Sequence, residues 1–136
     1  MQCFGNFEVF YNGKPLAFKR SKAKELFAYL VNLSGASCNA SELCAVLWED
    51  AVDSHSLKSN LRNIVLELNR ILDACGAKDV LIHKKNFYAI DKIKLDCDYF
   101  KFLDYDADAV NSYKGEYMNQ YSWAEITRGF LENKFI

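Results

Sequence analysis

The sequence is poor in the residues that build metal sites and disulfide frameworks. It has two histidines and five cysteines, and no two cysteines stand in a C-x-x-C arrangement. An odd number of cysteines without that spacing argues against a disulfide framework and against a structural zinc site. We therefore expect the cysteines to act as small apolar residues in a reducing cytoplasm. We expect no bound metal and no cofactor. The five cysteines are Cys3, Cys38, Cys44, Cys75 and Cys97.

Long hydrophobic runs and linker-like segments are also missing. No segment approaches the roughly 20 apolar residues of a bilayer-spanning helix, and the first ten residues lack the cationic leader of a signal peptide. We expect a cytoplasmic protein with no membrane partner. The chain has 136 residues, 51% of them hydrophobic, and a single proline. This composition can fill one core and is short for two full domains.

Enzyme motifs are absent from the sequence. There is no G-x-S-x-G, no glycine-rich phosphate loop and no metal-spaced group of histidines and cysteines. Nothing places Cys38 or Cys44 beside His55 or His83 as a nucleophile pair. We expect no catalytic activity and no catalytic residue.

The net charge of −1 hides an uneven distribution along the chain. Residues 1–95 hold 13 Lys/Arg against 10 Asp/Glu, a balance of +3, whereas residues 96–136 hold 4 against 8, a balance of −4. Because a phosphate backbone responds to the local field, a chain with this separation of charge can still present a positive face.

The clearest pattern in the chain is one long amphipathic helix, predicted over residues 56–73. Ser54 or Ser56 can cap its start, and Gly76 suits the left-handed residue past its end. Its apolar residues recur at three- and four-residue spacing: Leu57, Leu61, Ile64, Val65, Leu68, Ile71 and Leu72. The opposite face carries cationic and amide-bearing residues: Lys58, Ser59, Arg62, Asn63, Asn69 and Arg70.

A short basic hairpin follows this helix over residues 80–91. The segments "VLIH" and "FYAI" read as strands, and the three residues between them, Lys84, Lys85 and Asn86, read as the turn. A cationic helix face beside a hairpin with a cationic tip is typical of a winged helix. In that arrangement one element enters the major groove of DNA while the other grips the neighbouring backbone.

The preceding residues predict a small antiparallel sheet and two helices. Asn12-Gly13 is a strong hairpin signal, and Ser21 can cap a first helix over 22–33 that ends at Gly35. Asn39 and Glu42 have the spacing of a capping box for a second helix. The apolar face of the sheet comprises Phe4, Phe7, Val9, Tyr11, Leu16 and Phe18.

Beyond the hairpin the sequence mixes acidic and aromatic residues. We expect a short strand near residues 93–97 and a helix from about Ser122, on which Trp123, Ile126 and Phe130 share one face. An apolar stripe on a terminal helix usually packs on its own domain. The alternative is that it docks onto a following domain or a second chain.

Four stretches carry a resemblance to a known family. "RSKAKELFAYLVNLSGASCNASELCAVLWED" resembles the first two helices of OmpR/PhoB-type winged-helix domains, "LRNIVLELNRIL" their recognition helix and "VLIHKKNFYAID" their wing. "YKGEYMNQYSWAE" resembles the opening of the activation domain of SARP-like regulators. The resemblance implies an α+β fold: a winged helix-turn-helix with an N-terminal antiparallel sheet, a three-helix core, a C-terminal β-hairpin wing and a short helical tail.

The implied organisation is a DNA-binding domain over 1–95 and an activation-domain-like extension over 96–136. The implied function is sequence-specific binding of double-stranded DNA by a bacterial transcriptional regulator, SARP-like or of the response-regulator type, with helix 56–73 in the major groove and wing 80–91 on the backbone or minor groove. A winged-helix protein-interaction module that does not bind DNA is the alternative. Compatible partners besides DNA are RNA polymerase, a second regulator domain and a second copy of the chain on repeated half-sites.

The candidate DNA-contacting residues fall into three groups. Lys58 and Arg62 have the reach for guanine or phosphate, Asn63 for adenine, and the wing tip for the backbone or minor groove. Residues at helix starts are candidate phosphate clamps. The full set is Arg20, Lys22, Asn39, Ser56, Lys58, Ser59, Arg62, Asn63, Arg70, Lys84, Lys85 and Asn86.

Overall fold

The computed structural model describes residues 1–49 and 54–134, with the backbone alone at residues 54 and 55. The fold is mixed α and β, as expected, and its described part contains six α-helices and two small sheets. The chain forms two compact units, one of Met1–Leu16 with Leu95–Ile136 and one of Ala17–Lys94. None of the described helices has the length and hydropathy of a bilayer-spanning segment.

The unit of residues 17–94 is built on three helices, α1 (Ser21–Asn32), α2 (Ala40–Leu47) and α3 (Ser54–Ala74). Helices α1 and α2 both pack against α3. Their apolar stripes meet in one core because residues three and four apart share a helix face. The fully buried side chains of this core include Leu26, Phe27, Leu30, Leu43, Leu47, Leu61 and Leu68.

The prediction of the long helix is confirmed, since α3 contains the whole of residues 56–73. Gly76 has φ +71°, and the N–H of Ala77 donates to the carbonyl of Leu72 at 2.8 Å, which closes the helix. Ser56 lies inside the helix, so it is not the cap. The side chain of Ser54, the other candidate, lies outside the described residues.

The two shorter helices begin in different ways. At α2, the side chain of Asn39 accepts from the N–H of Glu42 at 2.8 Å, which confirms the cap. At α1, the prediction of Ser21 as the cap is wrong: Ser21 is the first helical residue and Arg20 occupies the cap position without a side-chain hydrogen bond. The N–H of Arg20 donates instead to the carboxylate of Glu67 in α3, so a tertiary contact stabilises the start of α1.

A three-stranded antiparallel sheet completes this unit. Strands β3 (Cys38–Asn39), β4 (Leu81–Lys84) and β5 (Phe87–Ile90) lie in the order β3-β5-β4. Lys84 pairs with Phe87, so the turn has two residues, Lys85 and Asn86, and the predicted three-residue turn was wrong. The strand pairing extends one residue beyond the prediction, to Lys84 and Phe87. The reason is that Lys85 takes the left-handed conformation, with φ +50°, that a tight hairpin turn requires.

The other unit holds a two-stranded ribbon and three short helices. Strands β1 (Phe10–Tyr11) and β2 (Lys14–Pro15) are joined by Asn12 and Gly13, whose φ values of +53° and +78° confirm the predicted turn. The expected burial of Tyr11 was wrong: its side chain is 45% exposed, because the ribbon has only two strands and both β1 residues face solvent. The helices are α4 (Asp98–Leu103), α5 (Ala107–Ser112) and α6 (Glu125–Asn133).

The predicted strand near residues 93–97 is not formed. Lys92–Lys94 is a 3₁₀ turn, and the chain enters α4 at Asp98. The cause is Asp91, whose carboxylate accepts from the N–H of Ile93 at 3.3 Å and whose carbonyl accepts from Lys94 at 3.1 Å. Aspartate bonds of this kind favour turns over strands.

The terminal helix forms as predicted but does not bury its apolar stripe. A 3₁₀ turn over Ser122–Ala124 leads into α6. Ile126 is 85% exposed and Phe130 53% exposed, because α6 buries Leu131 on another face. The expectation that the stripe packs on its own domain was therefore wrong for these two residues.

The predicted ranges of 1–95 and 96–136 divide the chain differently from its compact units. The N–H groups of Cys3 and Phe4 donate to the carboxylate of Asp98, so the first residues belong to the unit that contains α4. The assignment of functions to the two predicted ranges stays a prediction.

Candidate nucleic-acid interface

A cleft of about 610 Å³ opens on the unit of residues 17–94, between the start of α2, one face of α3 and the β4–β5 hairpin. Three cations line it, and no carboxylate does among its described lining residues. The lining residues are Asn39, Ala40, Ser41, Lys58, Leu61, Arg62, His83, Lys85, Asn86, Phe87 and Tyr88.

Helix α3 brings two of the cations to the cleft. Leu61 and Arg62 follow Lys58 by three and four residues, so both are neighbours of Lys58 on the helix surface. Leu61 is 1% exposed and anchors that side in the core, while Lys58 and Arg62 are exposed. The burial of Leu61 therefore directs the side chains of Lys58 and Arg62 to the cleft. The hairpin turn supplies the third cation, Lys85, together with the amide of Asn86.

The start of α2 adds the partial positive charge of a helix N-terminus. The carboxylate of Glu42 accepts from the side-chain NH₂ of Asn39 at 3.2 Å, and not from the backbone N–H that the predicted capping box would use. Ala40 and Ser41, the first two helical residues, line the cleft. A helix N-terminus presents N–H groups and the positive end of its dipole, which favours anions. The cleft therefore combines three formal charges with one helix end, all of the same sign.

Aromatic residues form the hairpin side of the cleft. The rings of His83 and Tyr88 stack at 4.2 Å with an interplanar angle of 17°. Phe87 is 54% exposed beside the turn. Burial raises the pKa of Tyr88, and the guanidinium of Arg62 partly offsets that rise, so the phenol is neutral at physiological pH. The exposed rings of Phe87 and His83 therefore offer flat surfaces next to the cations, and the buried ring of Tyr88 supports that of His83.

Five of the twelve residues proposed from sequence lie together on this cleft: Asn39, Lys58, Arg62, Lys85 and Asn86. Two others are held elsewhere. The Nε of Arg20 lies 3.8 Å from a carboxylate oxygen of Glu67, and the Nζ of Lys22 lies 2.9 Å from that of Glu25. The remaining five are exposed outside the described lining: Ser56, Ser59, Asn63, Arg70 and Lys84.

His83, Phe87 and Tyr88 were not predicted from the sequence as residues of the site. The segment "FYAI" was predicted only as the second strand of the hairpin, and nothing in a four-residue apolar run shows which aromatic side chain will be exposed. The pairing of His83 with Tyr88 across β4 and β5 brings both rings to the cleft.

No protein-family model matches the sequence, and no curated protein matches it. Among solved structures, the fold is similar to that of Mycobacterium tuberculosis EmbR, solved in complex with a low-affinity phosphopeptide. The TM-score is 0.75 at 16% sequence identity, over 96% of this chain and 41% of the EmbR chain. At this identity the likeness concerns the fold, and this chain spans less than half the length of its neighbour.

Proposed function

We propose that residues 17–94 form a winged-helix module that binds double-stranded DNA, as part of a bacterial transcriptional regulator of the OmpR/PhoB type and SARP-like class. The observation that carries the proposal is the cleft of the candidate interface. Its three cations and the start of α2 surround a space without a carboxylate among the described lining residues. The fold similarity to EmbR and the resemblance of the sequence motifs support the same conclusion.

In this proposal α3 is the recognition helix. The major groove is about 12 Å wide and admits one helix. Lys58 and Arg62, on the cleft side, contact guanine edges or phosphates. Asn63, exposed beside Arg62, can pair with an adenine edge, and Ser56 and Ser59 can donate to phosphate oxygens.

The hairpin and α2 then hold the DNA backbone. Lys84, Lys85 and Asn86 form or flank the hairpin turn and contact the backbone or the minor groove, as a wing does. Asn39 and the first N–H groups of α2 hold a phosphate on the other side of the cleft. If about six phosphates are neutralised in all, log K falls with log salt with a slope near −5.

The proposal assigns no catalytic role to the chain. A single module of this size binds weakly, so a second copy on a neighbouring half-site is part of the proposal. RNA polymerase or a second regulator domain are the protein partners that transcriptional regulation would require.

The direct test is fluorescence anisotropy of a labelled mixed-sequence duplex, titrated with the whole chain at two salt concentrations. The expected result is binding that weakens steeply with salt. Selection of a preferred site from a random library then measures sequence specificity. Absence of binding at low salt, with the chain shown to be folded by circular dichroism, would overturn the proposal.

A matched pair of variants locates the interface. Lys58→Ala with Arg62→Ala removes two cleft cations, and we expect weaker binding and a salt slope reduced by about 2. Lys19→Ala with Lys78→Ala removes the same charge from exposed positions of the same unit that do not line the cleft. Equal losses from both pairs would mean that net charge, and not the cleft, controls binding.

The alternative is a protein-interaction module that does not bind DNA. The observation that favours it is the exposure of Ile126 and Phe130 on α6. A folded chain without DNA affinity would make this alternative the better explanation.

A further inference from the structure

Two cysteines that stand 94 residues apart in the chain meet in the interior of one unit. The Sγ atoms of Cys3 and Cys97 lie 3.3 Å apart and share a hydrogen bond. Both side chains are buried, at 0% and 1% exposure. A disulfide needs a separation of about 2.04 Å, so the two atoms would approach by only about 1.3 Å to bond.

The carboxylate of Asp98 holds the two segments in this position. Its Oδ1 accepts from the N–H of Cys3 and its Oδ2 from the N–H of Phe4, at 2.8 and 3.1 Å. The N–H of Met118 also donates to the carbonyl of Cys3 at 2.8 Å. Cys3 is thus held on both sides against the residue that precedes α4.

We propose that Cys3 and Cys97 are a redox modification site, which a hydroperoxide converts to an intramolecular disulfide and a dithiol reductant restores. The proposal is independent of DNA binding. It also revises the expectation that every cysteine here is only a small apolar residue.

The surroundings divide the roles between the two thiols. Either thiol can donate in this hydrogen bond. With Cys3 as the donor, the bond lowers the pKa of Cys97 against the opposing effects of burial and of Asp98, whereas burial raises the pKa of Cys3. Because the thiolate is the nucleophile, Cys97 is the residue that attacks the oxidant and Cys3 is the one that resolves the product. The N–H groups of Tyr99 and Phe100 also lower the pKa of Cys97.

The reaction balances with one hydroperoxide. The Cys97 thiolate attacks a peroxide oxygen, the O–O bond breaks, and Cys97 becomes a sulfenic acid while hydroxide or alkoxide leaves. The sulfur of Cys3 then attacks the sulfur of Cys97, so the S–S bond forms and the S–O bond breaks. The departing hydroxide takes the proton of Cys3 as water. Two thiols lose two electrons in total, and the peroxide gains them.

The same three groups, Cys3, Cys97 and Asp98, are close enough to hold a metal ion. The disulfide is the better assignment because the carboxylate of Asp98 already accepts three backbone N–H groups, from Cys3, Phe4 and Tyr99. A structural zinc site takes four ligands, and the described residues supply three at this place.

The experiment treats the purified whole chain with hydrogen peroxide and maps its peptides by mass spectrometry without reduction. We expect one cross-linked pair that contains Cys3 and Cys97, with the loss of two hydrogen atoms. Titratable thiols should fall from five to three and return to five with dithiothreitol. A link that involves another cysteine, a sulfinic acid at Cys97 without a link, or no loss of thiols would each overturn the proposal.

Two variants and two further measurements test the proposed disulfide between Cys3 and Cys97. Cys75→Ser changes the one cysteine that is not buried and should leave the link intact, whereas Cys97→Ser should abolish it. If Cys97→Ser fails to fold, the peptide map of the unaltered chain still decides. Oxidation should also raise the urea midpoint, because the link closes a loop between residues 94 apart. Elemental analysis that finds a stoichiometric metal on these thiols would contradict the proposal.

Discussion

The carboxylate of Glu67 in α3 accepts a hydrogen bond from the backbone N–H of Arg20 at 3.0 Å. Its other oxygen lies 3.8 Å from the Nε of Arg20. An acidic residue within the proposed recognition helix therefore has a structural role, since it holds the start of α1 against α3. The contact also engages Arg20, which was predicted from the sequence to contact a phosphate.

Glu67→Ala removes this contact. Because a hydrogen bond to a charged group contributes about 1–3 kcal/mol and the contact lies at the surface, we expect the free energy of unfolding to fall by about 1 kcal/mol. DNA affinity should stay the same or rise, since Glu67 does not line the cleft and its charge repels phosphate. Urea unfolding and anisotropy measure the two effects. A large loss of affinity in the folded variant would place the middle of α3 at the DNA.

Asn39 caps α2 and also lines the cleft, so its replacement should affect stability and binding. Asn39→Ala removes the acceptor for the N–H of Glu42 and should lower the free energy of unfolding by about 1 kcal/mol. Asn39→Ser is the matched control, since a serine hydroxyl also caps. Urea titration of both variants checks the expectation, and equal stabilities would show that the cap contributes little.

Two glycines should respond in opposite directions to alanine. Gly76 ends α3 with φ +71°, and an added Cβ would meet nothing within 4 Å, so the cost of Gly76→Ala is conformational and about 1 kcal/mol. Gly129 lies within α6 with the same open space, so Gly129→Ala should stabilise by about 0.5–1 kcal/mol. Thermal unfolding of the two variants measures both signs. Destabilisation by Gly129→Ala would mean that α6 is not a regular helix at that residue.

Tyr117 should make the protein less stable in alkali. Burial, and then the Cys3 thiol, raise the pKa of Tyr117, and burial raises the pKa of Tyr99 to about 12. An unfolded tyrosine ionises near pH 10. The contribution to stability is therefore complete below about pH 10 and is lost as the pH rises towards the folded pKa.

Tyr117→Phe should reduce this alkaline loss, measured as the change in urea midpoint between about pH 8 and pH 11. Tyr11→Phe is the control, because Tyr11 is 45% exposed. The comparison uses the slope with pH, so a constant loss from the missing hydroxyl does not affect it. Equal slopes in the two variants would show that ionisation of Tyr117 is not linked to unfolding.

Much of the fold follows from local patterns in the sequence. The span of α3, the left-handed Gly76, the Asn12-Gly13 turn and the Asn39 cap depend on residues within a few positions of one another. Helical periodicity and turn chemistry operate at that range, which is why these features were predictable. The prediction of a strand near residues 93–97 was wrong because a hydrogen bond to the carboxylate of Asp91 favours a turn there.

The candidate site was predictable only in part, for a related reason. The cations of α3 and the hairpin were identifiable from the sequence, and five of the twelve predicted residues share the cleft. The capture of Lys22 and Arg20 by carboxylates was not predicted, nor was the exposure of Phe87. The residue type of a charged or aromatic side chain does not show which other residues that side chain will contact in the fold.

Local chemistry therefore determined the span of α3, the Asn12-Gly13 turn and the cap of α2, because each needs only neighbours in the chain. Tertiary packing decided which of its cations line one cleft, how much of α6 stays exposed, and that Cys3 meets Cys97 from 94 residues away. These outcomes depend on which distant surfaces bury together. Hydrophobic burial is non-directional, so no spacing rule in the sequence specifies them.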